Sequence, residues 1–130
     1  MIRPDINWLI VAAGLLGFSA IALGAYGDHG LRGTIDESAM HSFETALRYQ
    51  LFHAITLLAL GFGSAASLHN RLRWAGTVML IGTLIFCGSI YASVMLGMPS
   101  ITMLTPFGGI TLMASWLILV WAGFEKTVQT

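Results

Sequence analysis

Charged side chains are missing from three long stretches of the sequence, and this distribution decides what the chain can fold into. Residues 6–27 and 74–124 contain no Asp, Glu, Lys or Arg, and residues 49–70 contain none either, although two histidines lie among them. A helix that crosses the hydrocarbon core of a bilayer needs about 20 predominantly apolar residues. Each stretch is therefore long enough to cross a membrane, and the longest is too long for a single span.

The composition argues against a soluble globular domain. Of the 130 residues, 56% are hydrophobic and only 9% are charged, whereas about 25% are charged in ordinary globular proteins. So few charged side chains cannot form a polar surface, and much of the surface must face lipid. Acidic and basic residues balance, so there is no basic field for nucleic acid. We expect the lipid bilayer as a partner and no nucleic acid.

The longest uncharged stretch contains an internal turn. Residues 97–100, Gly-Met-Pro-Ser, combine two residue types that end helices. Thr105 and Pro106 then form the pair expected at a helix start, with a capping hydroxyl before a proline. The sequence therefore predicts an all-α integral membrane four-helix bundle, a single transmembrane domain over residues 1–130. The predicted spans are about 7–26, 44–67, 74–96 and 106–124.

Lys and Arg predict the orientation, because they are enriched in cytoplasmic loops. With four spans, both termini and the basic loop 68–73 share one side, and the loop 27–43, with its amphipathic helix start, lies on the other. The first side holds four basic residues, and the second holds two: Arg3, Arg71, Arg73 and Lys126 against Arg32 and Arg48. We expect both termini and the loop 68–73 in the cytoplasm, and the loop 27–43 outside.

Small residues recur at helical spacing in the first and fourth spans. Gly14, Gly17 and Gly24 belong to one stripe, and Gly108 and Ser115 are seven residues apart. Small residues let membrane helices approach closely, because lipid provides no hydrophobic drive for helix association. These five positions are predicted helix-packing sites.

Polar residues concentrate where the first two spans meet. Asp28 and His29 follow the first span among the glycines at 24, 27 and 30, which suggest a tight left-handed helix exit. A short connection makes the first two spans antiparallel neighbours, and Glu44 and Arg48 have the i,i+4 spacing of a helical ion pair. Because unpaired polar groups are costly in lipid, we predict one polar cluster. Its members are Asp28, His29, Glu44, Arg48, Tyr49, Gln50 and His53.

Catalytic and metal chemistry have little support in the sequence. His53 is either a neutral structural histidine or a functional one, since ionisable residues inside membranes often mark function. The histidines show no metal-ligand spacing, so we predict no metal site and no cofactor. The single cysteine, Cys87, is expected to act as a small hydrophobe in mid-membrane. We predict no catalytic residues and no enzymatic activity.

Four ordered motifs carry a family resemblance: Gly24 to Gly30, Phe43 to His53, Phe86 to Tyr91 and Thr105 to Gly109. Together they resemble the family of small membrane proteins that includes bacterial YgdD and eukaryotic transmembrane protein 256, also called domain of unknown function 423. Asp28 stands where that family is expected to have a small residue, and an acid there offers a charge partner to Arg32 or Arg48. The resemblance implies a multi-span helical protein of the bacterial inner membrane and no established reaction.

Three functional hypotheses follow. The first is a non-catalytic accessory or structural subunit that packs against a larger membrane complex, other membrane subunits or a second copy of itself. The second is a small oligomeric channel or transporter with Gln50 and His53 along its path. The third is a protein that binds lipid, quinone or haem through the polar cluster between His29 and His53.

Overall fold

The computed structural model describes residues 6–66 and 70–125, and the regular structure within them is entirely helical. A single π-helical turn, Gly27–Leu31, continues the first helix, and a 3-10 segment, Pro99–Leu104, precedes the fourth. All four long helices are long and apolar enough to cross a membrane, which confirms the predicted all-α membrane fold. They are α1 (Trp8–Tyr26), α2 (Glu37–Ala66), α3 (Arg71–Leu96) and α4 (Thr105–Ala122).

Successive helices are antiparallel, and each packs mainly against the next. Asn7, which caps α1, donates from Nδ2 to the Gly61 carbonyl near the end of α2, at 2.8 Å. Gly63 in the same region of α2 faces Leu72 at the start of α3. The first two connections therefore reverse the chain, as the predicted order of spans requires.

The tightest helix contact joins α3 and α4. A Cβ atom on Gly108 would lie 2.7 Å from the Cα of Phe86, and one on Gly82 would lie 2.9 Å from the amide nitrogen of Leu112. Ser115 lies on the same side of α4 and is fully buried. Gly108 and Ser115 therefore lie at a close interhelical contact, where small residues let the two backbones approach.

The helices α2 and α4 diverge. Within the described residues, no Cα atom of α4 comes within 8 Å of one in α1 or α2. The side chains of Phe86 on α3 and Trp116 on α4 reach into the space between α2 and α4. The bundle is consequently open along this side, and a cleft faces the surrounding membrane.

The second helix begins earlier than the predicted span. Asp36 Oδ1 accepts a hydrogen bond from the Ala39 amide at 2.7 Å, so this carboxylate caps a helix that starts at Glu37. The segment 27–43, predicted as a loop with a helix start, is helical except for residues 32–36. The capping signal of Asp36 explains the difference, because it places the helix start seven residues before the expected span.

The glycines that follow the first span do not form the predicted left-handed exit. Positive φ angles among the described residues occur at Gly33 and Gly97, not at the three glycines of this exit. Gly27 is instead a site of close approach, since a Cβ atom there would lie 2.6 Å from Cε1 of Phe43. The prediction of a left-handed exit was wrong, whereas Gly97, with φ of 62°, does end α3 at the expected turn.

Two glycines of the small stripe on α1, Gly14 and Gly17, form no contact within the described part of the chain. A Cβ atom on Gly14 or Gly17 would meet nothing within 4 Å, and one on Gly24 would only touch Leu47 at 4.0 Å. The buried face of α1 consists of other residues: Leu9, Ala13, Leu16 and Ala20. The prediction that Gly14 and Gly17 pack inside the bundle was wrong. Where α1 does pack closely, the glycines lie on the helices that pack against it and not on α1 itself.

Some of the residues from which the orientation in the membrane was predicted lie outside the described residues. Arg3, Lys126 and residues 68–69 of the predicted basic loop belong to this group. Arg71 and Arg73 are described and begin α3. Arg71 lies over the Trp121 ring, with its guanidinium carbon 4.2 Å from the ring centroid, and ties the start of α3 to the end of α4.

Gly108 and Gly14 make a matched pair for a packing test. Gly108→Ala should lower the free energy of unfolding by about 1–3 kcal/mol, because its Cβ would overlap the Phe86 backbone. Gly14→Ala should be neutral or stabilising by up to about 1 kcal/mol, since alanine is the better helix former and the space is open. Unfolding in bicelles measures both, and equal stability of the two variants would contradict the packing at Gly108.

Candidate functional site

The predicted seven-residue cluster does not form one connected site. Gln50 faces α1 and α3, whereas His53 faces α4. Glu44 and Asp28 pair with Arg32 at the surface. Residues three apart on a helix differ in direction by about 60°, which is enough for Gln50 and His53 to meet different neighbouring helices. The single-cluster prediction was therefore wrong: five of its seven residues are divided among three groups, and His29 and Arg48 belong to none of them.

Gln50 is the centre of the first group and is only 3% exposed. Its Nε2 donates to the Leu16 carbonyl at 2.9 Å and to Ser19 Oγ at 2.8 Å, both on α1. Its Oε1 accepts from the Tyr91 hydroxyl on α3 at 2.7 Å. One side-chain amide therefore ties three helices together, with both of its polar atoms in use.

His53 is the centre of the second group. Trp116 donates from Nε1 to His53 Nε2 at 3.2 Å, and an indole nitrogen can only donate. Nε2 therefore carries no proton, and the hydrogen-bond pattern assigns the ring proton to Nδ1, which donates to the Tyr49 carbonyl at 2.7 Å. The imidazole is neutral in this arrangement. Neither ring nitrogen is left to bind a metal ion or transfer a proton.

Arg32 is the centre of the third group, which lies at the exposed end of the first two helices. Its Nη2 donates to Glu44 Oε1 at 2.7 Å and to Asp28 Oδ1 at 3.0 Å. The hydrogen bond to Glu44, followed by the one to Asp28, raises the pKa of Arg32 above its ordinary value. The predicted ion pair of Glu44 with Arg48 does not form, because Arg32 in the connection takes the carboxylate. Exposed pairs of this kind contribute little to stability.

Two of the remaining predicted residues, His29 and Arg48, take no part in these groups, whereas the Tyr49 ring stacks on His53 with ring centroids 6.0 Å apart. Arg48 is exposed, and its guanidinium donates to Thr45 Oγ1 at 3.2 Å. The Tyr49 ring packs against Phe86, with ring centroids 4.7 Å apart. His29 is exposed on the π-helical turn.

Other side chains with catalytic potential are used in structural bonds. Cys87 lies 3.3 Å from the Ala46 carbonyl and is placed to donate to it across the α2–α3 contact. Ser89 and Thr105 share a hydrogen bond of 2.6 Å between α3 and the start of α4. The described part of the chain contains no group of three His, Cys, Asp or Glu residues that could hold a metal ion.

Sequence reasoning missed most of the partners that complete these groups. Ser19, Tyr91 and Trp116 supply the bonds to Gln50 and His53. The third group was partly predicted, since Asp28 does pair with Arg32, but the bond of Arg32 to Glu44 was not. A glutamine in mid-membrane does signal that partners exist, because lipid offers none. Their identity depends on how the helices are rotated against each other, and one sequence does not show that.

Because the imidazole of His53 makes two hydrogen bonds, different substitutions of His53 should lower the free energy of unfolding by different amounts. His53→Ala should lower the free energy of unfolding by about 1–3 kcal/mol, because it leaves the Trp116 N–H in the membrane without its acceptor. His53→Gln keeps an acceptor of similar reach and should lose less than half as much. Ile55→Ala, at a lipid-facing position of the same helix, serves as the control in the same bicelle unfolding assay. A His53→Ala variant as stable as this control would contradict the structural role of the imidazole.

Comparison with known proteins gives one family match. Residues 23–109 match the family described as "Protein of unknown function (DUF423)". This segment includes Gln50, His53 and Tyr91, but not Trp116. No solved structure matches the chain.

Individual relatives are similar along nearly their whole length. The chain is 33% identical to the "UPF0382 membrane protein SAB0533" of Staphylococcus aureus (strain bovine RF122 / ET3-1), over 89% of this chain and 94% of the relative. It is 34% identical to the "UPF0382 membrane protein" of Haemophilus influenzae, over 92% and 96%. It is 29% identical to the "UPF0382 inner membrane protein YgdD" of Escherichia coli (strain K12), over 88% and 87%. The chain therefore belongs to the DUF423 family of membrane proteins.

Proposed function

We propose that this protein is a non-catalytic structural subunit of the bacterial inner membrane that packs laterally against a larger membrane protein complex. The observation that supports this most is the use of its reactive side chains in internal bonds. Four buried groups with catalytic or ligand-binding potential bond to a neighbouring helix: Gln50, His53, Cys87 and Ser89. The buried hydroxyls of Ser64, Thr83 and Ser115 bond to carbonyls of their own helices. The first four side chains hold the helices together through their hydrogen bonds.

The same bonds disfavour a channel or transporter through this chain. Gln50 and His53 would have to line a common polar path, but they face different helices and each is closed by its partner. The interior beside them is filled by Leu57, Met79 and Thr83, which are fully buried. A packed interior of this kind suits a structural role.

The outer face of α1 is the surface that we propose for the partner. Gly14 lies there with open space around its Cα, beside the exposed side chains of Phe18 and Ile21. Elsewhere in the chain, glycines such as Gly61 and Gly82 are sites where a neighbouring helix approaches closely. An open glycine on an apolar helix face is the shape that a second membrane helix packs against.

The proposed orientation keeps both termini in the cytoplasm. Four antiparallel spans place the two ends of the chain on the same side of the membrane. The basic residues Arg71 and Arg73 at the start of α3 share that side, and such residues favour the cytoplasm. The Escherichia coli relative is named an inner membrane protein, which supports the proposed membrane.

Site-specific photocrosslinking in cells tests the partner face. A benzophenone side chain at Phe18 should crosslink to a discrete, larger membrane protein, whereas one at Phe62, exposed on α2, should not. Gly14→Leu should abolish the Phe18 crosslink without lowering the stability of the isolated protein, because a Cβ atom at Gly14 meets no other part of the described chain.

Two outcomes would contradict this proposal. If crosslinks from Phe18 join two copies of this chain, the partner on the α1 face is a second copy and not a larger membrane protein. Crosslinks to lipid alone would mean that the α1 face has no protein partner.

A further inference from the structure

The cleft between α2 and α4 has an apolar section of the size of one lipid chain. This section, here called the acyl groove, has a volume of about 770 Å³ and is lined by apolar and aromatic side chains that include Phe52, Ile110, Met113 and Trp116. It extends along α4 from Pro106 to Trp116, which at the helical rise is about 15 Å. That length is half of the hydrocarbon core of a bilayer, which is about 30 Å thick, and corresponds to a single leaflet.

A polar section continues the acyl groove toward the end of the bundle where α2 begins. It has a volume of about 920 Å³, and Phe86, Pro106 and Gly109 line both sections. Hydroxyl groups dominate its polar lining: Thr34, Ser38, Ser42, Thr45, Thr102 and Thr105. Along the membrane normal, the cleft therefore stays largely apolar but gains hydroxyl groups toward the start of α2, in the direction in which a phospholipid of that leaflet becomes polar.

Arg48 supplies a guanidinium at the junction of the two sections, and no carboxylate of the described residues is bonded to it. It lines the acyl groove, and its guanidinium donates to Thr45 Oγ1, which lines the polar section. Among the described residues no carboxylate pairs with Arg48, because Glu44 is bound to Arg32. A guanidinium beside hydroxyl groups is a strong hydrogen-bonding site for a phosphate.

One carboxylate, Asp36, also lines the polar section. It caps α2 through its bond to the Ala39 amide and lies twelve residues from Arg48, about 18 Å along the helix. It is therefore too distant to pair with Arg48, whose guanidinium stays available at the end of the cleft next to the acyl groove.

We propose that this cleft binds one anionic phospholipid, with its phosphate at Arg48 and Thr45 and one acyl chain in the acyl groove against Trp116. Three properties of the cleft match such a lipid: the length of one leaflet, the change from apolar to hydroxyl-lined walls, and a single guanidinium at the boundary. The site is separate from the proposed partner face on α1. Its test therefore does not depend on the structural role of the protein.

Quenching of Trp116 fluorescence by brominated lipids tests this site. The full chain carrying Trp8→Phe, Trp74→Phe and Trp121→Phe retains Trp116 as its single tryptophan and is reconstituted in phosphatidylcholine vesicles. Brominated phosphatidylglycerol should compete for the groove about fivefold better than brominated phosphatidylcholine, since one basic residue near the surface contributes about that factor for anionic lipids. Arg48→Gln should remove this preference, and Arg48→Lys should keep most of it.

Two controls show that the effect belongs to the cleft. Arg73→Gln removes one charge at an exposed position away from the cleft and should leave the preference unchanged. A variant with Trp116→Phe and its only tryptophan at Phe18, on the exposed face of α1, should show no preference between the two lipids.

The remaining outcomes overturn the proposal. Equal quenching of Trp116 by both lipids would show that the cleft is ordinary lipid-facing surface. Protection of Trp116 from both would show that another protein or an apolar cofactor fills the cleft. A preference that survives Arg48→Gln in a variant with unchanged helical content would show that Arg48 does not bind the phosphate.

Discussion

A primary amide inside a bilayer must find its hydrogen-bond partners within the protein, because the hydrocarbon offers none. Gln50 meets this requirement with α1 on one side and Tyr91 of α3 on the other. Those bonds set the rotation of α2 between its two neighbours. With that rotation set, His53 points to α4 and meets Trp116, and Arg48 comes to the mouth of the cleft.

The arrangement separates the interior of the bundle from its surface in a way that bears on function. Polar side chains inside the bundle stabilise the helix contacts. The features that are left to bind other molecules therefore lie on the surface. On one side this is the open glycine face of α1 around Gly14. On the other it is the cleft, which exists because α2 and α4 diverge around Phe86. The proposed structural role uses the first surface for a protein neighbour, and the proposed lipid site uses the second.

The number of membrane-spanning helices and most of their limits, except the start of α2, could be predicted from the sequence, because charge and hydropathy indicate membrane crossing directly. The turn at Gly97 and the close contact at Gly108 follow from the same local rules. The pairing of polar residues could not be predicted, since it depends on the rotation of each helix against its neighbours. Gly14 illustrates the limit: a small stripe marks close approach but does not say whether the approaching helix belongs to the same chain.

The most direct test of this account is the coupling between Gln50 and Tyr91. A double-mutant cycle with Gln50→Leu and Tyr91→Phe, measured by unfolding in bicelles, isolates the bond that joins α2 to α3. The account predicts a favourable coupling energy of about 0.6 kcal/mol, the average for hydrogen bonds between membrane helices, and no more than about 1.7 kcal/mol, the largest value found. A coupling energy of zero, with both single variants as stable as the parent protein, would show that this amide does not hold the helices in place.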